Sequence, residues 1–287
     1  MGLSLSAHAD EVSDCKLNPK GILPITFSGN ELKPSIEGSI NDAPTKVVID
    51  TSASLTKLNR TVLQRLGVRA VDTGARVYGT GTERSIIYQA KVRKLQVGPA
   101  LGRDVFEVAD DQETEFGIRI GANFLFQYDT EIFLTNKYVG FFKPVGCKEI
   151  ALVYWKEVWT VLPFHVADDD NWRPHFTVKI NGREVDAMIS TSISDSLLDL
   201  RAAKRIGITP QSSGVAPGQQ IQSGTGEILP TWVAPIETIE IGGEKVSTLK
   251  IKMTDLGSAS SGIILGLDFL RAHRILVSMS QRNLYLT

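Results

Sequence analysis

Short β-branched runs punctuated by Gly, Pro, Asn and Asp dominate this chain. Lys46-Val47-Val48-Ile49, Ser85-Ile86-Ile87-Tyr88, Lys94-Leu95-Gln96-Val97 and Thr238-Ile239-Glu240-Ile241 have the length and composition of strands. Two segments change period. Asn59 to Gly67 opens on a capping residue, repeats apolar side chains at helical spacing and stops at Gly, and Asp199 to Gly207 does the same. These predict two short helices, with a further helical turn after Gly121 and another after Gly266. The expectation is an all-β protein carrying a few short helices.

The pattern occurs twice. Ile40-Asn41 and Ile49-Asp50-Thr51-Ser52 recur 140 residues later as Ile180-Asn181 and Ile189-Ser190-Thr191-Ser192. Arg65-Leu66-Gly67-Val68 recurs as Arg205-Ile206-Gly207-Ile208, and Gly79-Thr80-Gly81 as Gly224-Thr225-Gly226. Gly117-Ile118-Arg119-Ile120-Gly121-Ala122-Asn123-Phe124-Leu125 recurs as Gly262-Ile263-Ile264-Leu265-Gly266-Leu267-Asp268-Phe269-Leu270. This period is far longer than that of a solenoid, so the chain is a duplicated domain and not an array. The predicted organisation is an N-terminal segment over 1–16, a first lobe over 17–142, an inter-lobe segment over 143–158 and a second lobe over 159–287. Tyr154, Trp155 and Trp159 argue against a loose tether between the copies, and predict that this stretch packs along the seam.

At 287 residues each copy is long enough to bury a core of its own. A balance of 31 basic against 32 acidic residues gives a net charge of -1, which offers no basic surface to nucleic acid. No apolar run approaches the ~18 residues of a spanning helix. Ala7-His8-Ala9 has the form of a signal-peptidase site without a basic or long apolar stretch before it, so the start reads either as the remnant of a signal peptide or as a disordered end. Cys15 and Cys147 flank the first copy. In an oxidising compartment they would clasp the ends of one lobe and add about 2–5 kcal/mol; two separate buried thiols are the alternative. Together these features predict export. Asp168-Asp169-Asp170 is read as a solvated turn, since no second ligand cluster accompanies it. The four histidines lack any His-Glu-x-x-His arrangement, so neither a metal nor a cofactor is expected.

Val47-Val48-Ile49-Asp50-Thr51-Ser52-Ala53-Ser54, the Gly79-Thr80-Gly81 turn and Ile120-Gly121-Ala122-Asn123-Phe124-Leu125, in that order and each repeated, resemble the retropepsin-like aspartic proteases, in particular their two-lobe single-chain exported bacterial type. The resemblance covers roughly residues 20–142 and 159–287. It implies a two-lobed fold with a cleft between the lobes and, for an exported chain, the bacterial periplasm as the expected compartment. Each lobe would bring one catalytic residue, at positions 50 and 190, to a shared floor. Thr51 and Thr191 would brace the two loops across the seam. The turns around Gly79, Thr80, Gly81 and around Gly224, Thr225, Gly226 would close over an extended polypeptide, and the two lobes would pair within one chain, making it a monomer.

Two departures from the family pattern bear on chemistry. Ser52 and Ser192 stand where Gly is expected, putting a Cβ at each tight turn. Ser190 stands where the second Asp belongs, leaving Asp50 alone. Paired carboxylates divide the work: one takes a proton from water, the other polarises the carbonyl and serves the leaving nitrogen. A positioned acid or base contributes about a hundred- to ten-thousand-fold. Asp186 and Asp195, the nearest carboxylates in sequence to Ser190, are expected to point elsewhere, and no histidine or Gly-x-Ser-x-Gly elbow supports Ser190 as a nucleophile. Three readings follow from this floor: peptide-bond hydrolysis by an Asp-activated water, which two chains could complete by pairing their Asp50 lobes; a pseudoprotease that binds polypeptide without cleavage; or a scaffold acting as a protein-interaction module. Asn123 and Asp268 are read as turn caps, and Phe124, Leu125, Phe269 and Leu270 as core.

Overall fold

Alternating burial along the β-branched runs resolves them into three main sheets, two private to the lobes and one shared. A computed structural model describes residues 15–29, 32–78, 84–109, 114–167, 171–222, 227–257 and 262–287. The turns Gly79-Thr80-Gly81 and Gly224-Thr225-Gly226, the Ala7-His8-Ala9 stretch and Asp168-Asp169-Asp170 lie outside the described residues.

The first lobe is an eight-stranded sheet in the order Thr26–Ser28, Lys33–Ile40, Ala43–Ile49, Phe116–Ile120, Lys57–Asn59, Ala100–Ala109, Arg84–Val97, Ala70–Tyr78. Seven strands of the second lobe follow a related path: Phe176–Ile180, Arg183–Ile189, Ile263–Leu265, Leu197–Asp199, Glu244–Thr254, Trp232–Ile241, Ala216–Pro217. A small pair, Ile221–Gln222 with Ile228–Leu229, adds to it. The strands expected at Ser85–Tyr88 and Lys94–Val97 are one element, Arg84–Val97, whose register against Ala100–Ala109 shifts between Val92 and Leu95. Such an irregularity bends a strand without ending it.

Both lobes bring the repeated motifs together by the same device. Ala43–Ile49 runs parallel to Phe116–Ile120, and Arg183–Ile189 runs parallel to Ile263–Leu265. Parallel neighbours share their C-terminal end, so the loop after Ile49 meets the segment after Ile120, and the loop after Ile189 meets the segment after Leu265. Gly121 and Gly266 sit at that meeting. A Cβ on Gly121 would lie 2.5 Å from the Leu55 carbonyl carbon, and one on Gly266 2.8 Å from that of Asp195. Only glycine permits so close a backbone approach. The expected helical turns follow, as Ala122–Leu125 and Leu267–Leu270. The longer helices, Arg60–Arg65 and Leu200–Arg205, are capped by the side chains of Asn59 and Asp199, and each is followed by a glycine of positive φ, Gly67 and Gly207. Phe124, Leu125 and Leu270 are buried, and Phe269 packs against the core from its edge.

A third sheet joins the halves. Its six strands run Lys16–Pro24, Tyr138–Val145, Asp129–Phe133, Ile275–Ser278, Asn283–Leu286, Thr160–Pro163. The first three precede residue 146 and the last three follow residue 159, so the seam is a continuous ladder in which Thr130 pairs with Val277. Tyr138–Val145 runs across position 142, carrying the first lobe directly into the inter-lobe segment. Beyond it, Cys147 is bonded to Cys15 with Cα atoms 4.4 Å apart. Leu152 and Trp155 are buried in a cluster with Phe142, Leu276 and Tyr285, so this stretch does pack along the seam, while Val158 stands in solvent.

Candidate active site

The floor is built where the two equivalent loops meet. Asp50 N–H donates to the Ile120 carbonyl at 3.0 Å and Ser190 N–H to the Leu265 carbonyl at 2.8 Å, each loop pinned to its own lobe. Asn123 and Asp268 complete the clamp. Asn123 Oδ1 accepts from Thr56 N at 2.9 Å and from Thr56 Oγ1 at 3.0 Å, while Asp268 accepts from Ser196 N at 2.9 Å and from Ser196 Oγ at 2.7 Å. Both residues are turn-holders, as their positions suggest. Between the lobes, Thr51 Oγ1 donates to the Ile189 carbonyl at 3.0 Å and Thr191 Oγ1 to the Ile49 carbonyl at 2.6 Å. Each threonine oxygen also accepts the other's backbone N–H at 3.2 Å. All four of these bonds are buried.

Asp50 and Ser190 stand on either side of that brace, joined by Ser52. Ser52 Oγ donates to Asp50 Oδ1 at 2.8 Å and lies 2.9 Å from Ser190 Oγ. Ser190 Oγ is in turn 3.1 Å from Ser192 Oγ and accepts from Ser192 N at 3.2 Å. A hydroxyl has one proton to give. With that of Ser52 committed to Asp50, Ser190 donates to Ser52 and Ser192 to Ser190, so the row is polarised toward the carboxylate. Oδ1 accepts two more bonds, from Ser52 N and Ala53 N, both at 3.1 Å. The serines that replace glycine fit without left-handed backbone; neither Ser52 nor Ser192 has positive φ.

The other carboxylate oxygen carries a feature that the motif comparison missed. Arg119 Nη1 donates to Asp50 Oδ2 at 3.3 Å, with the arginine side chain 23 % and the aspartate side chain 10 % exposed. A second guanidinium approaches from the other half, where Arg173 Nη1 donates to the Ser52 carbonyl at 3.3 Å. The signal for Arg119 was present in the repeat itself: Ile118-Arg119-Ile120 places a charge where the second copy has Ile263-Ile264-Leu265.

Asp186 and Asp195 take no part in the floor. Asp186 Oδ2 lies 2.9 Å from His175 Nδ1, and Asp195 pairs with Lys252. Among the described residues no group of three His, Cys, Asp or Glu side chains is placed to hold a metal ion, and no helix is long and apolar enough to cross a membrane.

Residues 36–127 match the family described as gag-polyprotein putative aspartyl protease, and residues 176–269 match the family described as Aspartyl protease. Each lobe is a retropepsin-like aspartyl protease unit. Asp50 and Ser190 both fall inside the matched stretches, at the equivalent point of each unit. A solved structure titled "Crystal structure of edgp" overlays 94% of this chain and 95% of its own, at 10% identity and a TM-score of 0.47. Among curated proteins none matches the chain. Asp50 of the first lobe and Ser190 of the second thus stand at equivalent points of the two floor loops.

Proposed function

We propose that this two-lobed aspartyl protease fold binds extended polypeptide in the cleft between its lobes and does not hydrolyse it. The observation that carries this reading is Ser52 Oγ, which is bonded to both Asp50 and Ser190 at the centre of the floor. A water placed for attack would have to exchange a proton with Asp50. Oδ1 already accepts three protein donors and Oδ2 faces Arg119. At position 190 a hydroxyl replaces the acid that would serve the leaving nitrogen. What supports binding is the retained frame: two lobes joined by an intact threonine brace, a scaffold on which an extended ligand could pair main chain with a strand edge.

The alternative in which two chains bring their Asp50 lobes together is disfavoured by the seam. It would require breaking the six-stranded sheet and withdrawing Arg274 of one half from the buried Glu131 of the other. We further propose that the protein works in an oxidising compartment outside the cytoplasm, which the Cys15–Cys147 bond supports.

The test is cleavage and binding of a reduced, unfolded protein from about pH 3 to 8, comparing the unaltered chain with Asp50→Ala and with Ser190→Asp. Binding without cleavage by the unaltered chain is expected. Cleavage that Asp50→Ala abolishes would overturn the reading, and so would failure to bind at any pH.

A further inference from the structure

The duplication allows the two sides of the floor to be compared residue by residue. Paired strands point their side chains to the same face at each rung, so a row of rungs forms a strip across the sheet. In the first lobe, Val48 pairs with Arg119, Arg119 with Lys57 and Lys57 with Glu107. The equivalent row in the second lobe is Met188, Ile264, Leu197 and Lys252. Their sequence neighbours Ile49, Leu58, Ile118 and Ile120, and Ile189, Leu198, Ile263 and Leu265, point into the main core. Both rows therefore occupy the opposite face, the one from which Arg119 reaches Asp50.

The two strips are chemically opposed. In the first lobe the row is charged: Arg119 pairs with Asp50, and Lys57 Nζ lies 3.0 Å from Glu107 Oε2. In the second, Met188, Leu197 and Ile264 join Leu256 in an apolar cluster separate from the main core. Two partly buried side chains cover it, Ile193 from the floor loop and Ile221 from the small strand pair. The one charged member of that row, Lys252, is tied to Asp195.

We infer that the cleft reads its ligand in one direction: an extended polypeptide segment seats a large apolar side chain against Met188, Leu197, Leu256 and Ile264 of the second lobe, and none against the first. This rests on the polypeptide-binding reading above and assigns its ligand class. An apolar side chain entering on the second-lobe side displaces Ile221 and exchanges one apolar contact for another. The same side chain on the first-lobe side would strip water from the Arg119–Asp50 and Lys57–Glu107 pairs and offer no hydrogen bonds in return. A symmetric floor would accept an apolar residue on either side, but Arg119 breaks that symmetry and fixes the polarity of the bound chain.

The test uses fluorescein-labelled decapeptides of Ser, Gly and Gln carrying one Leu or two, titrated by fluorescence anisotropy. The unaltered chain is expected to bind single-Leu peptides and to gain nothing from a second Leu. Ile264→Arg, which copies the first lobe's charge, should weaken binding by about tenfold or more. Ile221→Glu, at a half-buried position that leaves the cluster itself intact, should do the same and guards against a misfolded Ile264 variant. Arg119→Ile should create a second apolar seat, so that two-Leu peptides now bind more tightly than single-Leu ones. Unchanged affinities in both second-lobe variants, each with native circular dichroism and melting, would overturn this inference while leaving polypeptide binding in place. Failure of the unaltered chain to bind any peptide, or the unfolded protein above, would overturn both.

Discussion

Glu131 and Arg274, 143 residues apart in sequence, form a buried ion pair that joins the two halves. Glu131 is fully buried, and the Arg274 side chain is 11 % exposed. Tyr138 Oη donates to Glu131 Oε1 at 2.7 Å and Tyr154 Oη to Oε2, so with Arg274 three side chains from three segments share one carboxylate. The guanidinium also lies over the rings of Phe133, Tyr154 and Trp155, 4.5 to 5.1 Å from their centroids. Removing one partner leaves the other buried without compensation. Arg274→Met is therefore expected to cost about 3–5 kcal/mol in urea unfolding. A loss under about 1 kcal/mol would show that water reaches the pair.

The same cluster predicts an alkaline weakness. Burial, and then the hydrogen bond and negative charge of Glu131, push the hydroxyls of Tyr138 and Tyr154 above the ordinary tyrosine range. A raised pKa means that the unfolded chain loses these protons first. The stability they contribute is whole below about pH 10 and falls as pH rises beyond it. Melting temperature should thus decline above that pH, and Tyr138→Phe should flatten the decline. An equal slope in the variant would refute the assignment.

The threonine brace should hold the floor more than the fold. Thr51→Val removes the donor to the Ile189 carbonyl and the acceptor of the Thr191 N–H, both buried. A loss of about 1–3 kcal/mol is expected in thermal or urea unfolding. Amide exchange should rise in the loops after Ile49 and Ile189 more than in the lobe sheets. Uniform exchange changes would count against a local role.

Reduction offers a fourth check. The Cys15–Cys147 bond closes a loop with a sequence separation of 132 and ties the first strand of the shared sheet to the segment beyond its neighbour. Dithiothreitol, or Cys15→Ser, should cost about 2–5 kcal/mol. Differential scanning calorimetry with and without reductant reads it directly, and coincident curves would mean that the seam is held without the bond.

The duplicated fold was legible because its signals are local. The capping residues Asn59 and Asp199, the glycines that end each helix and the Ile-Gly segments before the helical turns all act through their immediate neighbours. Asp50, Ser190 and the two threonines were legible because they recur at one spacing. What escaped the motif comparison were contacts between chemically different elements. Arg119 lies on a strand that reads as core, and its ion pair with Asp50 spans 69 residues. Glu131 and Arg274 have no motif at all, and are brought together only by the sheet that crosses the seam. Comparing the copies for their differences, such as Arg119 against Ile264, exposes what comparing them for likeness conceals.

The shared sheet also sets an order of events during synthesis. Asn283–Leu286 lies inside that sheet, between Ile275–Ser278 and Thr160–Pro163. The ribosome delivers it after every other described strand, so both lobe sheets can form while the joint between them still lacks an interior member. Until then Thr160–Pro163 has no partner in the sheet, and the nascent molecule exposes an unpaired edge to neighbouring chains. For as long as that strand is missing, the exposed edge is where a chaperone would have to act.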